Sequence, residues 1–200
     1  MSTATAESRA AIPVGEQRFV IHGVDWRTYC VLRELLDAPG LRMTYLAGAL
    51  ELMSPSLRHE TIKKMLARLI EVFALERDVP LYGYGSTTFK REAKEAGLEP
   101  DECYVLGQEL RERPDIAVEV ALTSGGLPKL SAYERLEVPE VWFWLEEGFR
   151  LYRLGPSGYE PITSSVLIPG LDFELLARFA QRTDQPAAVR EYRGALAQPR

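Results

Sequence analysis

The chain has 200 residues, of which 46% are hydrophobic and 26% charged, with a net charge of -5 and a pI of about 5.3. That composition suits a soluble globular protein with one core of ordinary size. It excludes a globally basic nucleic-acid coat protein, and no apolar run approaches the roughly 20 residues needed to span a bilayer.

The first seventeen residues, MSTATAESRAAIPVGEQ, lack the apolar region of a signal peptide and read as a loose tail. RFVIHGV is a short strand ending at Gly23, and Asp25 is placed to cap the helix WRTYCVLRELLDA, which Pro39 and Gly40 stop. MTYLAGALELM alternates on either side of Ala47 and Gly48, as a hairpin does. SPSLRHETIKKMLARLIEVFALERD is the clearest helix. Ser56 is its N-cap, and Ile62, Met65, Leu66, Leu69, Ile70 and Phe73 give the 3.6-residue period.

LYGYGSTTFKR is the next strand, and KEAGLEP is a turn or excursion. DECYVL and DIAVEVAL form a second hairpin around a polar, Arg-rich loop. A short helix follows from Pro128 to Leu136. EVWFWLEEGFRLYRLGPSGYEPI supplies two strands turned at Glu147 and Gly148, then a third after Gly158, and SSVLIPGL is expected to close the sheet. DFELLARFAQRT is a helix capped by Asp172, and AAVREYRGAL is a further helical stretch low in core residues. No linker separates two cores. The domain reading is a flexible tail over 1–15, one α/β domain over 16–182 with a twisted mixed sheet flanked by helices, and a helix or tail over 183–200.

The chemistry gathers on the second hairpin. Antiparallel pairing about its loop brings Asp101 and Glu119 together on neighbouring strands, where opposed Cβ atoms lie roughly 5 Å apart. Two carboxylates on a rigid sheet suit a hard divalent cation such as Mg²⁺ or Mn²⁺. Lys129, just after Pro128, could hold a phosphate oxygen or orient a water. Glu119 interrupts the apolar run IAVEVAL, and a buried acid needs a partner or a metal. A strand with one face in water would carry it harmlessly. Asp101 could also be an ordinary turn aspartate, and Lys129 a solvated lysine at a helix start. Asp115, four residues before Glu119, falls on the same strand face and could add a ligand, or it could simply start the strand.

The order Pro100-Asp101, Glu119, then a lysine resembles the PD-(D/E)XK nuclease superfamily. The longer pieces TYLAGALELMSPSLRHE, GSTTF, GLEPDECYV, PDIAVEVALTS, KLSAY and EVPEVWFW resemble the Uma-two family of restriction endonuclease-like proteins, over about half the chain. The resemblance implies a restriction-endonuclease-like fold and a metal-dependent endonuclease acting on nucleic acid, DNA in the first place. The superfamily's usual lysine lies two positions after the glutamate, where this chain has Ala121. Lys129 fits the variant in which the lysine moves to the next helix, with Tyr133 one turn later. The resemblance also implies a metal-linked role for Glu60, an acid otherwise well placed near a helix N-terminus. Ser86, Thr87, Lys90 and Tyr133 are candidates for substrate contact, although threonine is also a good strand former. His59 could relay a proton, but the preferred reading is a surface residue beside the helix cap, and the alternative for Tyr133 is plain packing.

An acidic protein needs a local surface for nucleic acid. Candidates are Lys63, Lys64 and Arg68 on one helix, and Lys90, Arg91, Lys94, Arg111 and Arg113 in loops. Trp142 and Trp144 alternate with Phe143 and read as core. Cys30 and Cys103 are expected to be reduced in a cytoplasmic protein. With two histidines and two cysteines, zinc ligation by those residues alone is excluded. Phosphate-loop, dinucleotide and nucleophile-elbow motifs are missing. The rival to an endonuclease is a nuclease-fold protein that binds nucleic acid or a protein partner without cutting. A homodimer is expected in either case.

Overall fold

The computed structural model describes residues 15–38, 40–108, 111–122 and 126–197. The predicted 1–15 tail lies almost wholly outside them. Strand β1 (Gln17–His22), helix α1 (Trp26–Leu35), strands β2 (Arg42–Leu46) and β3 (Ala49–Ser54), and helix α2 (Leu57–Glu76) follow the predicted order. The Asp25 side chain accepts from Thr28 N, and Ser56 accepts from His59 N, so both caps form as expected. Ala47 and Gly48 take φ values of 48° and 84°, the doubly left-handed turn that matches the twist of a tight hairpin.

The stretch LYGYGSTTFKR does not form one strand. It splits into β4 (Leu81–Gly83) and β5 (Phe89–Arg91), which lie in different sheets. The predicted excursion KEAGLEP instead contains an interior strand, β6 (Ala96–Leu98), all of it buried. A Cβ at position 97 would collide with the Tyr29 ring, so only glycine lets α1 lie this close to the sheet. Then come β7 (Glu102–Leu106), β8 (Ile116–Val120), α3 (Lys129–Leu136), β9 (Glu140–Leu145), β10 (Gly148–Gly155), β11 (Gly158–Ile162), α4 (Phe173–Ala180) and α5 (Gln185–Leu196).

Two sheets result. The mixed sheet runs β11-β10-β9-β8-β7-β4, antiparallel except for the parallel β8–β9 pair that α3 connects. Beside it stands an antiparallel sheet, β1-β3-β2-β6-β5. Helices α2, α4 and α5 cover one face of the mixed sheet around Trp142, Trp144, Leu66 and Tyr192. Its other face meets α3 and the second sheet through Leu98, Ala117, Tyr133 and Val141. Helix α1 closes the far side with Tyr29, Tyr45 and Leu50. Helix α5 contributes more to the core than its sequence promised, burying Ala188, Tyr192 and Leu196.

SSVLIPGL is not a strand. Buried Glu140 holds it, accepting from Trp142 Nε1 at 2.9 Å, Ser165 Oγ at 2.7 Å, Val166 N at 2.8 Å and Leu167 N at 3.2 Å. Glu140→Ala would orphan these donors in the interior. It should cost about 2–4 kcal/mol, read as a lower urea midpoint with an unchanged m-value.

Candidate functional site: a buried carboxylate pair

Strands β7 and β8 pair with Glu102 opposite Val118 and Cys103 opposite Ala117. Continuing that register by one residue sets Asp101 opposite Glu119. Both are 1% exposed. The hairpin therefore brings the two predicted acids to one place, at its open end. Asp101 Oδ2 accepts from Val120 N at 2.8 Å and lies 3.1 Å from His59 Nε2. Lys129 Nζ donates to Glu119 Oε2 at 2.6 Å, and the Tyr133 hydroxyl donates to Glu119 Oε1. Lys129 and Tyr133 stand one turn apart on α3, so a single helix face supplies both donors.

The surroundings drive the two acids apart in acidity. Burial opposes ionisation of Asp101, but the adjacent His59 imidazole and the charge on Lys129 outweigh it, and its pKa falls below the usual range. Burial raises Glu119 to about 7; Lys129 pulls against this shift, and ionised Asp101 adds to it. Burial would discharge Lys129, yet Glu119, Asp101 and Glu51 together raise its pKa, so it stays an ammonium. His59 behaves likewise. Burial is outweighed by Asp101, Glu16 and Glu60, and its pKa rises.

Other partners escaped the sequence reading. His59 is fully buried rather than at the surface, because its ring enters the interior beside Asp101. Glu51 on β3 is 1% exposed and accepts from Arg18 Nη1 at 2.8 Å and from Leu127 N at 2.7 Å. Arg18 also binds Glu16 at 2.8 Å. Gly126, at φ +98°, lies where a Cβ would strike the Glu51 carboxylate and Arg18. Glu51 thus anchors the segment that delivers Lys129. The available signal was an acid within ALELM, a strand with neighbours on both sides.

Several candidates lie elsewhere. Glu60 is at the rim, its Oε1 3.7 Å from His59 Nδ1 and its Oε2 2.8 Å from Lys63 Nζ. Asp115 is not brought to the pair. Four strand residues separate it from Glu119 by about 13 Å, and it binds Leu106 N and Arg111, each at 2.8 Å. Ser86 lines a different cleft with Arg33, Arg42 and Glu99, and the Thr87 hydroxyl donates to Tyr84 O at 2.7 Å. Lys90 shares a row with Gly97 and Tyr45, whereas Glu51 shares the adjacent row with Thr44 and Leu98, so Lys90 faces away from the Glu51 side. Of the expected basic surface, Lys63, Arg91 and Arg111 are already in ion pairs.

Asp101 and Glu119 are the two buried carboxylates that the hairpin sets opposite each other. Among the described residues, no group of three or more His, Cys, Asp or Glu side chains is placed to hold a metal ion. No helix among them is long and apolar enough to cross a membrane.

The structure is similar to a crystal structure of "a putative nuclease belonging to DUF820" from Anabaena variabilis, with TM-score 0.51 and 14% identity, covering 74% of this chain and 98% of that one. That likeness establishes a restriction-endonuclease-like fold. No curated protein matches the chain. The family model Uma2, described as "Putative restriction endonuclease", matches residues 26–178, which hold both sheets' central strands and the carboxylate pair; the chain belongs to the Uma2 family.

Proposed function

We propose that this protein is a divalent-metal-dependent endonuclease that hydrolyses phosphodiester bonds in DNA. The observation that carries the reading is the register pair Asp101–Glu119 with the Lys129 ammonium 2.6 Å from Glu119. Two carboxylates suit Mg²⁺ or Mn²⁺, because such ions keep waters and substrate phosphate oxygens in their remaining positions. Asp101 and Glu119 would hold the ion, which when bound supplies Lewis acidity and a more acidic water. Glu60 at the rim could accept from one of its waters.

The chain's own residues do the positioning. His59 and Val120 N fix the Asp101 carboxylate. Tyr133 fixes one oxygen of Glu119 and leaves the other to Lys129. Lys129 would share its donors between Glu119 and a phosphate oxygen, neutralising the charge that builds there.

Asp101→Asn and Glu119→Gln should each lower Mn²⁺-dependent cleavage of plasmid or single-stranded DNA at least about 100-fold with unchanged circular dichroism. His59→Ala should cost about 10–100-fold by loosening Asp101. Cleavage at the wild-type rate in both carboxylate variants would sink the proposal, and DNA binding without cleavage by the wild type would favour the non-cutting rival.

The proton state gives a second test. In the metal-free protein Glu119 should titrate near pH 7 while Asp101 stays ionised. Lys129→Met removes the cation that opposes the shift, so the Glu119 midpoint should rise further. Native Glu119 keeps its proton to higher pH than the unfolded chain does. Its contribution to stability is therefore full below about pH 4.5 and is lost as pH rises through about 7. Carboxyl ¹³C NMR of the wild type and Lys129→Met follows the midpoint directly, and a midpoint that falls in the variant would contradict the assignment.

A further inference from the structure

A cleft of about 310 Å³ opens beside Lys129, walled by Pro128, Leu130, Phe143, Arg150 and Tyr152. The pairing that builds the carboxylate site also builds this cleft. Glu119 on β8 is in register with Phe143 on β9, and Phe143 with Arg150 on β10. Carboxylate, aromatic ring and guanidinium therefore form one row on one sheet face, at successive strand spacings of about 4.8 Å. Phe143 is half-buried and meets Tyr152 edge-on, with centroids 6.0 Å apart at 84°. This leaves an aromatic surface in the cleft rather than a closed stack. Arg150 is exposed and makes no ion pair among the described residues, unlike Arg18, Arg33, Arg91 or Arg111. The cleft is thus apolar and aromatic at its floor, with a cation at each side.

That combination matches a nucleotide, with a flat ring flanked by phosphates. The volume is at the small end of ligand clefts, which run from roughly 300 to 1,000 Å³, and it suits one ring system rather than a stacked pair. A base inside a duplex cannot present its face to Phe143 without leaving the stack. Resting on the nuclease reading, we infer that this cleft binds one unstacked nucleobase beside the cleaved phosphate. Phe143 is its stacking platform and Arg150 the contact to the neighbouring phosphate, so the preferred substrate is single-stranded or frayed rather than intact duplex. Lys129 serves both compartments, reaching the carboxylates with its ammonium and walling the cleft with its stem.

The test uses the full chain in EDTA with a short oligothymidylate carrying one 2-aminopurine, alone and annealed to its complement. Binding of the single strand should change the probe's emission through stacking, and the duplex should bind more weakly with little change. Phe143→Leu keeps the apolar bulk and removes the ring, and should weaken single-strand binding about 5- to 100-fold. Arg150→Ala, at an exposed position, should reduce the slope of log affinity against log salt by about 0.7. Equal binding by the wild type and Arg150→Ala, with an undiminished salt slope, overturns the inference even if Phe143→Leu fails to fold. So does a duplex bound as tightly as the single strand. The two proposals separate cleanly. Oligonucleotide binding with these variant effects but no Mn²⁺-dependent cleavage by the wild type overturns the nuclease reading and leaves the cleft standing. Cleavage by the wild type with binding unaffected in both variants does the reverse.

Discussion

Two carboxylates face each other across a pair of strands with almost no exposure to water, and much of the architecture answers that one constraint. Like charges at that spacing inside a protein are costly, and removing one partner from a buried ionic group commonly costs about 3–5 kcal/mol. The compensation comes from separate elements. Helix α2 contributes His59, the hairpin contributes its own Val120 N–H, and α3 contributes Lys129 and Tyr133. Each must be seated for the acids to be tolerated, so the helices are pinned to the sheet by charge as well as by apolar packing. The arrangement leaves one acid readily ionised and the other poised near neutrality.

The antiparallel sheet has a supporting part in the same arrangement. Glu51 belongs to it, yet accepts the Leu127 N–H just ahead of α3. Arg18 on the edge strand holds Glu51 in turn. This chain of contacts explains why an acid sits on the buried face of β3, where an aliphatic residue would pack as well. It also explains Gly126, whose backbone passes too close to Glu51 for any side chain.

Much of this was legible in the sequence because it depends on periodicity. The two apolar runs DECYVL and DIAVEVAL, set about one polar loop, were enough to bring Asp101 opposite Glu119, and the helix caps at Asp25, Ser56 and Asp172 were written in residue type. What was not legible depends on contacts between distant segments. AGL has too little hydrophobic weight to announce a strand, and it becomes one by pairing between β2 and β5 with Tyr29 lying over Gly97. LYGYGSTTFKR reads as one strand because local pattern carries no sign of a change of sheet. SSVLIPGL looks like a strand because its apolar residues do pack, but its backbone donors go to Glu140 rather than to a neighbouring strand. His59 was misplaced for the same reason, since nothing near it in sequence reveals that Asp101 will be its partner. Asp115 has the correct strand face, but facing alone does not bring a side chain within reach.

Asp101 sits in the three-residue passage, 99–101, by which the chain leaves β6 in one sheet and enters β7 in the other. Glu119, by contrast, lies well inside the mixed sheet. The two acids therefore straddle a mechanical seam, and their separation gauges how the sheets are seated against each other. A slip of about 1 Å at such a place is enough to cost a reaction two orders of magnitude. Loosening the outer sheet would misalign the pair while every ladder bond of β8 stayed intact. The alignment of the two acids accordingly depends on how one layer is seated on the other, and it should loosen on warming before the secondary structure melts.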